Sequence, residues 1–278
     1  MKIVRATSEM RQERSNRHAG PVGFVPTMGY LHEGHLSLIR LARKRTSCVI
    51  VSLFVNPTQF GPGEDFAQYP RDEQRDLALC EEAGVDLVFI PTPTDIYAPD
   101  ASVSLKEDRL SDCLCGKSRP GHFNGVCTVV AKLFQIVQPD IAVFGQKDAQ
   151  QVAIIKRMVR DLLFPVDIVV GPIVREQDGL ALSSRNIYLD AQQRQQALGL
   201  FATLSGVRAQ WQAGTRDAQE LVQWGRQHLA QEYPGVTLEY LVCCDPETLI
   251  PRETVQGGTL VAIAARVGQT RLIDNIIL

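Results

Sequence analysis

No apolar run in this chain approaches the about 18–20 residues that span a bilayer, and the opening stretch MKIVRATSEMRQERSNRH is too polar for a secretory signal. The expected location is therefore cytoplasmic, with no membrane partner. Excess charge is missing too. With 29 Lys and Arg against 31 Asp and Glu, the formal charge is −2 and the pI near 6.2, so the chain as a whole gives no electrostatic reason to expect nucleic acid. There is no CxxC pair, and the seven cysteines, at 48, 80, 113, 115, 127, 243 and 244, are odd in number and lie mostly within apolar runs. That pattern argues against a disulfide framework and against structural zinc. Neither GxGxxG nor GxxxxGK[ST] occurs: Cys115-Gly116-Lys117-Ser118 imitates the end of a phosphate loop, but the position five before Gly116 is Ser111 and no strong strand leads in.

What is present is an ordinary soluble composition, 45% hydrophobic and 22% charged over 278 residues, enough for one large domain and a smaller one. Short β-branched runs, continuous rather than alternating, read as parallel strands buried on both faces: Val22 to Val25, Cys48 to Val55, Val85 to Ile90, Ile141 to Phe144 and Val166 to Val170. Helical patterns lie between them, at Leu36 to Arg45, Asp72 to Ala83, Val126 to Val137 and Ala149 to Leu162. This alternation predicts an α/β fold with a Rossmann-like, doubly wound parallel sheet over residues 1–175, and ligands at the carboxyl ends of its strands. From 176 to 278 the order changes. Helical segments at Ala191 to Gln212 and Asp217 to Glu232 precede the strand-like runs VTLEYLVCC, TLVAIAARV and RLIDNIIL, which predicts a smaller α+β C-terminal lid domain on a short hinge.

One stretch carries chemistry on its face. VPTMGYLHEGHLSL, residues 25–38, reads as strand, turn and helix, and such a turn presents backbone N–H groups and a helix amino terminus to an anion. Its two histidines, His32 and His35, admit three readings. Two imidazoles in a βα turn can be structural. A metal site needs a third ligand and usually HExxH spacing, whereas this is HEGH. A phosphate site fits the spacing better, because residues i and i+3 at a helix start face the same anion and imidazole can donate to phosphoryl charge.

His32-Glu33-Gly34-His35 is a HIGH-type motif. Together with PTMGYLHEGHLSLI, FVNPTQFGPGEDFAQYPR, RPGHFNGV, VFGQKDAQQ and VREQDGLALSSRN, in that order from Pro26 to Asn186, it resembles the pantoate:β-alanine ligase family of the nucleotidylyltransferase superfamily. HIGH alone is shared with other nucleotide-handling enzymes, but five ordered blocks are specific. The resemblance implies ATP and Mg²⁺, a pantoyl adenylate formed without a protein nucleophile, amide formation with β-alanine, and a homodimer. An alternative within the superfamily is a nucleotidyltransferase that keeps the nucleotide in its product. A tRNA-binding synthetase fragment would need a basic surface that this chain lacks.

Residue by residue, the resemblance implies that His35, His32 and Lys147 are catalytic. ATP would be bound by Met28, Gly29, Tyr30, Leu31, His32, Glu33, Gly34 and His35, then by Gly145, Gln146, Lys147 and Asp148, and finally by Val174, Leu182, Ser183, Ser184 and Arg185. Gln59 and Gln151 match pantoate-binding amides, which can donate or accept without adding charge; Gln59 also matches a β-alanine contact. Leu182 stands where the family commonly has Met, a volume-conserving change. Asp76 matches a carboxylate near the metal–triphosphate, although its neighbour Arg75 is not a second acid. Arg119 and His122 lie in a polar loop whose role the sequence leaves open.

Overall fold

Strands that are apolar along both faces need helices on both sides of their sheet, and the N-terminal part of the chain supplies them. The computed structural model describes residues 1–16 and 20–278. In chain order the elements are β1 (Lys2–Val4), α1 (Thr7–Ser15), β2 (Val22–Thr27), α2 (Glu33–Arg43), β3 (Cys48–Leu53), α3 (Glu73–Glu82), β4 (Leu87–Phe89), α4 (Pro93–Ile96), α5 (Cys115–Ser118), α6 (His122–Val137), β5 (Ile141–Gly145), α7 (Ala149–Asp161) and β6 (Asp167–Gly171). After them come α8 (Ala191–Ala197), α9 (Gly199–Gln212), α10 (Ala218–Glu232), β7 (Val236–Cys244), β8 (Leu260–Val267) and β9 (Thr270–Ile277).

The first six strands form one parallel sheet in the order β1-β4-β3-β2-β5-β6. From β2 the chain winds outward through β3 and β4, then returns to continue on the other side through β5 and β6. The order therefore reverses between β2 and β5, and the carboxyl ends of these two strands flank the crevice in which such sheets bind ligands. Val25, Val49, Val51, Val88 and Val143 pack with Leu38, Ile39 and Ala42 of α2 and Cys80 of α3. Their strand neighbours Phe24, Ile50, Leu87, Phe89 and Ala142 are equally buried, as the continuous apolar runs require. The fold is Rossmann-like, as the strand–helix alternation predicts.

The chain divides into two compact units, Met1–Gly145 with Ile154–Pro172, and Gln146–Ala153 with Ile173–Leu278. The segment after β5, which chain order alone assigns to the N-terminal part, thus groups with the second unit. That unit holds an antiparallel sheet, β7-β8-β9, whose inner residues Leu241, Val261, Ile263, Ala265 and Leu272 meet Leu200, Leu204 and Val207 of α9 and Leu221 and Leu229 of α10. Gly206 lets α9 and α10 approach, since a Cβ there would lie 1.9 Å from the Trp224 ring.

Some elements differ from expectation. β1 and α1 carry almost no apolar signal, and α1 buries only Met10. Helix α2 begins at Glu33, at the helix start read from HEGH and ahead of the apolar period at Leu36, because a side-chain cap fixes its start. The single helix expected over Ala191 to Gln212 is interrupted at Leu198. Gly125 lets α6 lie close against the Pro57–Gln59 turn: a Cβ there would stand 2.3 Å from the Thr58 carbonyl oxygen and 2.7 Å from the Gln59 nitrogen. Backbone cannot rotate aside as a side chain can, so Gly125→Ala is expected to lower the unfolding free energy by about 2 kcal/mol in a urea titration, and an unchanged midpoint would contradict this packing.

Candidate active site

In the first unit, the turn leaving β2 reverses through two residues with left-handed backbone, Gly29 at φ 80° and Tyr30 at φ 51°. Glycine accepts that conformation; tyrosine does so only when its surroundings hold it there. The holder is Asp76 of α3, 2% exposed, whose Oδ2 accepts the Tyr30 N–H at 2.7 Å and whose Oδ1 accepts the Leu31 N–H at 2.7 Å. A Cβ on Gly29 would come within 3.0 Å of the same Oδ2. Burial is the larger influence on this carboxyl and pushes it above its ordinary range, against the pull of the Leu31 and Tyr30 N–H groups. Arg75 stacks its guanidinium 5.2 Å from the centre of the Tyr30 ring. Thr27 completes the turn, accepting the Gly29 N–H at 3.1 Å while donating to the Ser52 carbonyl of β3 at 2.8 Å.

The turn delivers the chain to His32, the N-cap of α2. Its Nδ1 accepts the Gly34 N–H at 3.1 Å, and the Nδ1 of His35 accepts the His32 N–H at 3.3 Å, a reciprocal cap made by two imidazoles with ring centres 4.1 Å apart. Because both Nδ1 atoms accept, each neutral ring carries its proton on Nε2. Glu33 is exposed and pairs with Arg40. The expected ATP residues from Met28 to His35 are thus one continuous built turn.

Gln59 ends the 3-10 turn Pro57–Gln59 and is only 9% exposed, not a surface glutamine. Its Nε2 donates to Met28 Sδ at 3.0 Å and its Oε1 accepts from Asn56 Nδ2 at 3.2 Å, so a residue expected at pantoate and one expected at ATP meet inside this unit. Asn56 Oδ1 in turn accepts from Tyr97 Oη at 2.7 Å.

In the second unit, Gln146–Asp148 forms a 3-10 turn leading into α7, with Gln151 half-buried on the first turn of that helix. Asn275 of β9, 2% exposed, holds the turn. Its Nδ2 donates to the Gln146 and Lys147 carbonyls at 2.9 and 3.0 Å, and its Oδ1 accepts from Gln146 Nε2 at 3.0 Å. The adjacent Asp274 receives Arg175 in a two-pronged pair at 2.6 and 2.9 Å, and Arg175 also donates to the Gly179 carbonyl and lies 3.9 Å from the Phe201 ring centre. Val174 to Leu182 is a tight hairpin, closed by the Leu182 N–H on the Val174 carbonyl at 3.0 Å and the Glu176 N–H on the Leu180 carbonyl at 2.8 Å. Ser183 caps the following 3-10 turn, its Oγ accepting the Arg185 N–H at 3.3 Å, and Ser184 is buried behind it.

Gly145 belongs to the first unit as the last residue of β5, while Gln146, Lys147, Asp148, Gln151, Val174 and Leu182 to Arg185 belong to the second. Asp274 and Asn275 escape a motif search: their signal is a polar pair inside the strand-like run RLIDNIIL, whereas Arg175 stands in the block VREQDGLALSSRN without being singled out there. No group of three His, Cys, Asp or Glu side chains among the described residues could hold a metal, and Asp76 already engages both oxygens. Among the described residues there is therefore no preassembled cage for a resident metal. Burial pushes the Cys80 and Cys127 thiols up to about 12, which removes them as nucleophiles.

The fold and its capped turn at the sheet's switch point define a Rossmann-like α/β protein of the HIGH-motif kind. Comparison with known proteins narrows this. Residues 2–277 match the family model described as Pantoate-beta-alanine ligase. The pantothenate synthetase of Thermotoga petrophila is 51% identical over 280 residues, covering all of both chains, and that of Acidobacterium capsulatum is 52% identical over 282 residues, covering 99% of this chain and 94% of the other. Among solved structures, the pantothenate synthetase of Thermus thermophilus superposes with a TM-score of 0.95 at 45% identity, over 100% of this chain and 99% of that one. The pantoate-beta-alanine ligase of Francisella tularensis, solved in complex with beta-gamma ATP and beta-alanine, gives 0.82 at 34% identity, over 100% and 97%. The chain belongs to the pantoate-beta-alanine ligase family and is a ligase; the nucleotide-retaining alternative is set aside.

Asn275→Ala would remove the side-chain partner of two part-buried carbonyls and of the Gln146 amide. It is expected to lower stability by about 1–3 kcal/mol in a urea titration and to slow ligase turnover with it. Asn275→Asp should be worse than alanine, because it sets an acceptor against two carbonyls; an aspartate as stable and active as wild type would contradict this role.

Proposed function

We propose that this chain condenses pantoate with β-alanine at the expense of ATP, and that the residues described above carry the reaction. The observation that supports this most is the family match over residues 2–277. In the first step the pantoate carboxylate oxygen attacks the α-phosphorus of ATP, the bond to the bridging β-phosphate oxygen breaks, and pyrophosphate leaves. In the second, the β-alanine amine attacks the acyl carbon of pantoyl adenylate, the acyl–oxygen bond breaks, AMP departs and the nitrogen sheds a proton.

No covalent protein intermediate is needed, so the protein's work is placement and charge neutralisation. His32 and His35 donate through Nε2 to phosphoryl oxygens, a direction set by their Nδ1 atoms being occupied in the helix cap. Lys147 supplies a point charge to the α-phosphate; its ammonium takes no ion pair or hydrogen bond among the described residues, while the backbone carrying it is fixed by Asn275. Ser183 and Arg185 add a hydroxyl and a guanidinium to the triphosphate, Val174 a backbone contact to adenine, and Gln59 and Gln151 amides to pantoate. Mg²⁺ belongs to this reading as part of the substrate, entering with ATP; Asp76, the carboxylate expected near it, holds the turn through both of its oxygens. The family resemblance further supports a cytoplasmic homodimer, which sedimentation velocity tests by its mass.

The deciding experiment is pyrophosphate–ATP exchange with pantoate present and β-alanine absent. Exchange is expected, and its absence would overturn the adenylate mechanism. Lys147→Ala is expected to cut that exchange by about 10²–10³-fold while weakening ATP binding less than about tenfold. Equal loss in both would make Lys147 a binding residue only.

A further inference from the structure

The block RPGHFNGV has no role in the chemistry above, yet it is built against the glutamine assigned to pantoate. Arg119 donates from Nε and Nη2 to the two oxygens of Glu64 at 2.7 and 2.6 Å, which fixes the plane of its guanidinium. Burial acts most strongly on the Glu64 carboxyl, raising it, but the hydrogen bond and charge of Arg119 outweigh this and hold it below its ordinary value. The pair is therefore intact above the usual glutamate range and is lost only as pH falls through the depressed value. From this fixed plane Nη1 approaches His122 Nε2 at 3.1 Å and Nη2 donates to the Gln59 carbonyl at 3.3 Å. His122 Nδ1 lies 2.8 Å from that same carbonyl.

These contacts determine the state of the imidazole. A guanidinium has donors and no acceptor, so Nε2 must accept and carries no proton; a carbonyl only accepts, so Nδ1 must carry one. His122 is neutral, with its proton on Nδ1, the tautomer opposite to that of His32 and His35. The charged groups facing it include Arg119 and, beyond the guanidinium, Glu64, and the Phe123 ring lies edge-on with 4.8 Å between ring centres. A second proton on Nε2 would set donor against donor and cation against cation. Beneath, Gly125 brings the backbone of α6 against Thr58 and Gln59, and Asn56 Nδ2 donates to the Gly125 carbonyl at 3.2 Å, so the two blocks form one hydrogen-bonded body.

We infer that His122 and Arg119 are positioning residues for pantoate: together they clamp the Gln59 carbonyl, and protonation of His122 releases the clamp. The inference rests on the pantoate reading of Gln59. Its test is steady-state kinetics of wild type, His122→Ala and His122→Asn, with each substrate varied between about pH 6 and pH 8. Alanine is expected to raise the KM for pantoate about tenfold, the loss of one buried hydrogen bond, and to leave that for ATP within about twofold. Asparagine, whose amide nitrogen falls near the place of Nδ1, should restore the pantoate KM and remove its rise at low pH. Equal changes in both KM values, or an asparagine variant with the wild-type pH dependence, would overturn the inference. Nitrogen-15 spectra of the labelled histidines give a check that needs no turnover: His122 should show a protonated Nδ1 and a bare Nε2, and the reverse tautomer would overturn the geometry. Wild type without pantoate-dependent exchange would remove the functional reading itself, a result separate from wild type active and His122→Ala unaltered.

Discussion

Two backbone N–H groups, of Tyr30 and Leu31, converge on the single carboxylate of Asp76, and the site in the first unit depends on that convergence. A left-handed residue other than glycine costs about 1–2 kcal/mol, and Tyr30 occupies that region only because the carboxylate and its neighbours over-determine it. Without the reversal, β2 would run on past the sheet edge and His32 would not stand at the amino end of α2. The burial of Asp76 is what makes the arrangement strong: a hydrogen bond to an ionised acceptor away from water is both stiffer and more costly to lose than one at the surface.

The same device recurs at the other turns. Asn275 satisfies two carbonyls and a side-chain amide of the Gln146–Asp148 turn, Asn56 ties the Pro57–Gln59 turn to α6, and Asp274 anchors Arg175 in the hairpin after β6. Each of these residues is 3% exposed or less. Tight turns leave backbone donors and acceptors that no ladder pairs, and when a turn is sheltered from water a buried polar side chain is the remaining partner. Residues assigned to substrate thus lie in turns and at the ends of the strands and helices these turns join, while the residues that hold the turns still lie behind them.

That division explains what could be read from the amino-acid order. CVIVSL and VFG announce strands because burial on both faces forces β-branched runs, and HEGH announces a helix start because its neighbours are a turn before and an apolar period after. Asp76 is visible as a residue but not in its role: its partners are backbone groups 45 and 46 positions away, and backbone has no letter. Asn275 is hidden more deeply, at 128 and 129 positions from the carbonyls it holds. Strand β1 and helix α1 escape notice for the opposite reason, being edge elements that bury too little to leave a pattern.

Three histidines of this chain show how neighbours assign one side chain to different work. In His32 and His35 the Nδ1 atoms accept backbone N–H groups, which leaves the proton on Nε2; in His122 a guanidinium requires Nε2 to accept, which leaves it on Nδ1. Each arrangement uses an imidazole that is neutral, and each would lose a hydrogen bond on gaining a second proton. In the proposed reaction this separates direction from charge. The imidazoles contribute oriented N–H donors whose strength does not depend on their being cations, and the positive charge that phosphoryl transfer needs is assigned to Lys147 and Arg185. A site built this way keeps its capped helix intact at the moment negative charge accumulates, because the protonation that would strengthen its electrostatics would also dismantle its geometry.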